Sequence, residues 1–147
     1  MPHIKRHAIV IYTPSEMYDL VNHIEDYPNF LPWCSGSEVL SRKEDEIQAS
    51  ITVEGMGIQK KFTTRNLLQK DKMIEVRLLD GPFQHLQGFW QFDLLEQNHC
   101  KVSLNLEYEF AGKALSFLFG PFFQQAANTF VDAFVHRAKE IYGNKSA

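Results

Sequence analysis

The chain has 147 residues, 44% of them hydrophobic and 13% aromatic, with 15 Lys and Arg against 18 Asp and Glu for a formal net charge of −3. That length fits one domain, 1–147, able to bury roughly 68–70% of the surface its unfolded form exposes. The near balance of charge excludes a global electrostatic pull toward nucleic acid or anionic lipid.

Two cysteines, Cys34 and Cys100, lie far apart and without paired spacing. This suits buried structural thiols in a reducing cytoplasm better than a disulfide framework or a zinc site. Lys5 and Arg6 precede an apolar run, Ala8 to Tyr12, that stops at Thr13-Pro14, too short for the core of a signal peptide. No run approaches the roughly 18 apolar residues of a membrane span. The expectation is a soluble cytoplasmic protein.

The segment Ile4 to Tyr12 reads as a strand. Thr13-Pro14-Ser15-Glu16 then places a capping hydroxyl before a proline at the first helical position, with Glu16 able to reach back to the cap. The helix it opens carries Met17, Leu20, Val21 and Ile24 on one face and ends near Ile24. Next comes Asp26-Tyr27-Pro28-Asn29-Phe30-Leu31-Pro32-Trp33-Cys34. Its two prolines allow only a short second helix. Its three rings demand cover, so they either plug one end of a core or rim a cavity.

From Ser35 to Phe110 the apolar period becomes two. Cys100, Val102, Leu104, Leu106, Tyr108 and Phe110 alternate with polar residues, as do Ile47, Ala49, Ile51 and Val53, then Ile74, Val76 and Leu78, then Leu86, Gly88, Trp90, Phe92 and Leu94. Short breaks at Lys43–Asp45, Glu54–Gly57, Gln69–Lys72, Asp80–Pro82 and Glu96–His99 read as hairpin turns and predict an antiparallel meander. After Gly112 the period returns to 3.6, and Leu115, Phe119, Phe122, Phe123, Ala126, Phe130, Phe134, Ala138 and Ile141 form the stripe of a long helix. Pro121 predicts either a kink at Gly120-Pro121 or a short helix followed by a long one starting there.

This order gives an α+β helix-grip fold: a curved seven-stranded antiparallel sheet wrapped around a long C-terminal helix, with one or two short helices after strand 1. A curved sheet cannot pack flush along a straight rod, so a gap between them is expected.

The whole chain resembles the coenzyme Q-binding and ribosome-association toxin family of the START-like, polyketide cyclase-like superfamily. The resemblance rests on Asp26 to Cys34, on Asp80-Gly81-Pro82-Phe83 leading to Trp90-Gln91-Phe92, and on Ala133-Phe134-Val135-His136-Arg137-Ala138 ending in Ile141-Tyr142-Gly143. It implies an apolar tunnel and non-enzymatic binding or chaperoning of a polyprenyl quinone, a ubiquinone-like lipid, in support of respiration. The alternative that it implies is a toxin-like protein that binds the large ribosomal subunit and blocks subunit association. Ser35-Gly36-Ser37 and Gln87-Gly88-Phe89 depart mildly from the family pattern, and neither separates the two activities.

Under the lipid reading, the residues expected at the ligand are Phe30, Leu31, Trp33, Phe83, Leu86, Trp90, Phe92, Leu104, Leu106, Tyr108, Phe119, Phe122, Phe123, Ala126 and Phe130. The quinone ring is expected near Trp90, Phe92 and Tyr108. A tightly packed core is the competing explanation of so many rings. Phe117, Leu118 and Phe119, with Phe122-Phe123 and the Phe30 to Trp33 segment, are expected to form a movable portal that touches a membrane transiently, placing the protein peripherally at the inner membrane. A dimer patch or simple core competes with that reading too.

Six histidines show no metal-ligand spacing, Gly55-Met56-Gly57 lacks the third glycine of a dinucleotide loop and reads as a bulged hairpin or flap, and no nucleophile elbow or inward carboxylate pair is evident. No catalytic residue, metal or required cofactor is expected. Lys60, Lys61 and Arg65, with Arg42, Lys43 and Lys101, are expected to make a basic outer sheet face that either contacts ribosomal RNA or merely solvates the surface.

Overall fold

A computed structural model describes residues 3–55 and 57–143; Met56 of the expected glycine turn and the extreme ends of the 1–147 domain lie outside the described residues. Strand β1 (His3–Val10) leads into helix α1 (Pro14–Asn22), a 3₁₀ segment (Ile24–Asn29), and strands β2 (Cys34–Arg42), β3 (Glu46–Gly55), β4 (Ile58–Gln69), β5 (Met73–Asp80), β6 (Phe83–Leu94) and β7 (Cys100–Phe110). Helices α2 (Lys113–Asn128) and α3 (Phe130–Tyr142) complete the chain.

The seven strands form one antiparallel sheet in the order β1-β7-β6-β5-β4-β3-β2. Strands β2 to β7 are the meander their turns predict, and β1 pairs with β7, so the sheet edges are β1 and β2. Alternation holds along β7: Cys100, Val102, Leu104, Leu106, Tyr108 and Phe110 are buried under the helices, with Lys101, Ser103, Asn105 and Glu107 on the outer face. The helix-grip architecture is the one expected from the sequence.

Helix α1 starts as its capping box requires. The Glu16 amide donates to Thr13 Oγ1 at 3.1 Å and the Thr13 amide donates to Glu16 Oε1 at 2.9 Å. Pro28 falls inside the 3₁₀ segment.

The carboxyl-terminal helix departs from expectation in where it breaks. Pro121 sits within α2, and the interruption is at Thr129. The carbonyl that Pro121 leaves without an amide belongs to Phe117, which is 81% exposed and so is open to water. At Thr129 the hydroxyl donates to the Ala126 carbonyl at 2.8 Å and the amide donates to the same oxygen at 3.1 Å. Both bonds tighten the chain to a three-residue closure and end the α-helical ladder there. The grip therefore clasps two helices joined at a corner.

Candidate ligand-binding cavity

The rings expected along the seam divide into two groups. Toward α2, Phe83 stacks on Phe110 at 4.8 Å and meets Phe123 at 5.2 Å, Tyr108 meets Phe123 at 4.9 Å, and Phe110 meets Phe119 at 5.7 Å. This end is solid core. Toward α3 and the 3₁₀ segment the packing opens into a cavity of about 80 Å³. Its wall comprises Val21, Ile24 and Tyr27, then Leu31 and Trp33, Ile51 of β3, Phe62, Thr64 and Asn66 of β4, Ile74 and Val76 of β5, Leu86 and Trp90 of β6, Leu104 and Leu106 of β7, and Phe123, Phe130 and Phe134 of the helices.

Of the residues expected at the ligand, Leu31, Trp33, Leu86, Trp90, Leu104, Leu106, Phe123 and Phe130 stand on that wall. Phe30, Phe83, Phe92, Tyr108, Phe119, Phe122 and Ala126 do not. Phe83, Tyr108 and Phe119 belong to the solid end, and Phe92 packs edge-on against Tyr18 at 5.8 Å. Phe30 lies behind Phe134, with ring centroids 5.1 Å apart. Phe122 and Ala126 line a separate surface hollow with Pro32, Trp33, Glu54, Gln125 and Thr129. Of the three residues expected near the quinone ring, Trp90 touches this cavity and Phe92 and Tyr108 do not.

The residues that sequence reading missed fall into two kinds. Val21, Ile24, Ile74, Val76 and Phe134 were visible as apolar faces, and only the fold aims them at one space. Thr64 and Asn66 were missed because β4 is polar on both sides, although Phe62, Thr64, Asn66 and Leu68 do share one face at period two. Thr64 is 5% exposed and Asn66 8%, and the Thr64 hydroxyl donates to Asn66 Oδ1 at 3.0 Å.

Around the cavity, the 3₁₀ segment is tied down by two devices. The Tyr27 hydroxyl donates to the Val21 carbonyl, and burial pushes this phenol far above its ordinary range. Arg137 of α3 donates to both carboxylate oxygens of Asp26 at 3.1 and 3.3 Å, and its guanidinium lies 5.3 Å over the Phe30 ring. Burial works against the Asp26 carboxylate, but hydrogen bonds from Asn29 and Arg137 and the Arg137 charge outweigh it and hold its pKa below the usual value.

Both cysteines are buried. Burial is the largest influence on each, raising the Cys34 thiol and pushing Cys100 up to about 11. Among the described residues no group of three or more His, Cys, Asp or Glu is placed to hold a metal ion, and no helix is long and apolar enough to cross a membrane.

Two surface expectations are corrected in part. Phe117 and Leu118 are 81% and 60% exposed, whereas Phe119 beside them is 1% exposed, so only the first two form an apolar surface and Phe119 is core. On the sheet, Lys61 and Arg65 project from the outer face, but Lys60 shares the inward face of Phe62 and Thr64, because odd and even positions of a strand oppose each other. Arg65 is paired with Glu46 at 2.7 Å and Arg42 with Glu25 at 2.9 Å. Arg77 of β5, opposite Arg65, stands on the same outer face and is paired with Glu75 at 2.7 Å.

The model of the family described as polyketide cyclase / dehydrase and lipid transport matches residues 10–135. Along 141 residues the chain is 46% identical to the ribosome association toxin RatA of Pseudomonas aeruginosa, covering 96% of this chain and 98% of that protein. It is 27% identical over 144 residues to the mitochondrial coenzyme Q-binding protein COQ10 of Dictyostelium discoideum, covering 92% and 68%. The crystal structure of the Zhui aromatase/cyclase from Streptomyces superposes with a TM-score of 0.82 over 95% of this chain and 94% of that one, at 15% identity, which shows likeness of fold alone. The chain therefore belongs to the START-like polyketide cyclase / dehydrase and lipid transport family, among the relatives of RatA and, at greater distance, of COQ10.

Proposed function

We propose that the protein binds a polyprenyl quinone, or a lipid of similar shape, between its sheet and its two terminal helices, and performs no chemistry on it. The observation that carries this reading is the make-up of the cavity wall, which is aromatic and aliphatic apart from Thr64 and Asn66 and, among the described residues, includes no carboxylate, imidazole, amine or thiol. Such a wall can hold an isoprenoid chain but has no group suited to moving a proton near neutral pH. The likeness to COQ10 supports the same reading.

Affinity would come chiefly from removing isoprenoid surface from water, at roughly 25 cal/mol per Å² before ordering costs. The cavity of about 80 Å³ is far smaller than the ~300–1,000 Å³ of sites that enclose drug-sized molecules. Loading therefore requires the wall to part. Its natural seam is Trp33, which stands on the walls of both the cavity and the surface hollow, beside the α2–α3 corner. Native mass spectrometry and lipid extraction of protein purified from its own cells test the proposal: a bound quinone supports it, and protein that takes up no quinone from vesicles overturns it.

A second reading is favoured by the RatA relatives. In it, the outer sheet face, with Lys61, Arg65 and Arg77, contacts the large ribosomal subunit and blocks subunit association. Phosphate contact by such a cluster weakens steeply with salt, so cosedimentation with large subunits that fades between 50 and 200 mM salt, as such contacts do, is the expected result. Absence of cosedimentation at low salt removes this reading, and both activities can share one scaffold.

A further inference from the structure

A buried carboxamide in an apolar wall needs a reason. Asn66 projects from β4 toward the cavity between Ile47 of β3 and Val76 of β5, and Thr64 sits between Ala49 and Leu78. Every flanking strand neighbour is apolar. The Thr64 hydroxyl occupies Asn66 Oδ1 and so orients the amide, while the Nδ2 hydrogens have no hydrogen-bond partner among the described residues. Asn66 is 8% exposed and stands on the cavity wall, so its amide is free to donate into the cavity, and an amide donor in apolar surroundings is destabilising unless something there accepts from it.

We propose that Thr64 and Asn66 form the polar anchor of the cavity, with Asn66 Nδ2 donating to a neutral oxygen, a carbonyl or ether, on an otherwise apolar ligand. The inference rests on the lipid-binding reading and narrows it. Among the described residues no Lys, Arg or His lines the cavity, so a carboxylate or phosphate headgroup would be buried without a counter-charge, at heavy cost. The anchor therefore selects a quinone, ketone or ester head over a fatty-acid anion.

The test titrates full-length protein with three probes, 2-decyl-1,4-benzoquinone, decylbenzene and decanoate, by calorimetry. For Asn66→Leu, quinone affinity should fall about tenfold, the size of one lost hydrogen bond, with decylbenzene unchanged or tighter. Thr64→Val, which removes only the orienting hydroxyl, should show a smaller loss of quinone affinity and serves as the second variant if Asn66→Leu folds poorly. Equal effects on quinone and decylbenzene, no effect on either, or tighter binding of decanoate than of the quinone by the wild-type protein would overturn the anchor while leaving the cavity as a binding site. Failure of the wild-type protein to bind any probe would overturn the lipid reading and the anchor with it.

Discussion

The indole of Trp33 stacks on the ring of Phe130 with centroids 4.7 Å apart and planes inclined by 29°. One ring follows the 3₁₀ segment and the other opens α3 just past the Thr129 corner, so the pair bridges the two elements that flank the cavity. Trp33 Nε1 is buried without a hydrogen-bond partner among the described residues. The closed arrangement thus holds one unsatisfied donor in place, which lowers the cost of opening.

If this stack closes the cavity, Phe130→Ala should speed release of a bound quinone by about two- to tenfold, the equivalent of the ~0.5–1.5 kcal/mol an aromatic pair contributes beyond its buried area. Stopped-flow transfer to acceptor vesicles measures the rate. An unchanged rate would place the passage elsewhere.

The Asp26–Arg137 pair predicts an acid-dependent loss of stability. Because the folded-state pKa of Asp26 is depressed, its contribution is fully present above the unfolded value near 3.9 and disappears as pH falls through the folded value. Asp26→Asn should therefore cost about 0.5–1 kcal/mol at pH 7, and the variant and wild-type stabilities should converge in stronger acid. Urea midpoints across pH 2–7 follow this, and parallel curves would show that the charge contributes nothing.

Gly88 of β6 is a close-approach position. A Cβ there would stand 2.1 Å from the Asn105 carbonyl oxygen and 2.8 Å from the Leu106 Cα, both backbone atoms of β7. Neither can swing aside, so Gly88→Ala should destabilise by about 2–3 kcal/mol, with the loss visible in thermal unfolding. Gly55→Ala should be milder, since the atoms nearest its Cβ would be the outer ring atoms of half-buried Phe122.

Phe117 and Leu118 offer an apolar surface that the core does not need. Replacing both with Asp should leave the melting temperature within about 2 °C, as surface changes do, yet reduce quinone extraction from vesicles severalfold if this surface meets lipid. The same replacement at Phe119 should unfold the protein, because its ring is wedged among Phe110, Phe122 and Phe123. Unimpaired extraction by the surface variant would remove membrane contact from the mechanism.

The sequence alone determined the elements and their order. The Thr13 capping box, the period-two runs of β3, β6 and β7, and the turns between them are local signals, set by hydrogen bonding and side-chain alternation within a few residues. Those signals also implied a dry sheet face needing cover by terminal helices, hence the grip. Tertiary structure decided which apolar residues close on one another and which surround space. Tyr108 and Phe119 look identical in pattern to Leu104 and Phe130, but the corner at Thr129 packs the former pair solidly and leaves the latter on a cavity. It also decided that Pro121 continues a helix, since its missing hydrogen bond falls where water reaches, and that Thr64 and Asn66 face inward on a strand polar on both sides. Burial depends on the summed geometry of seven strands and two helices, and no window along the chain contains it.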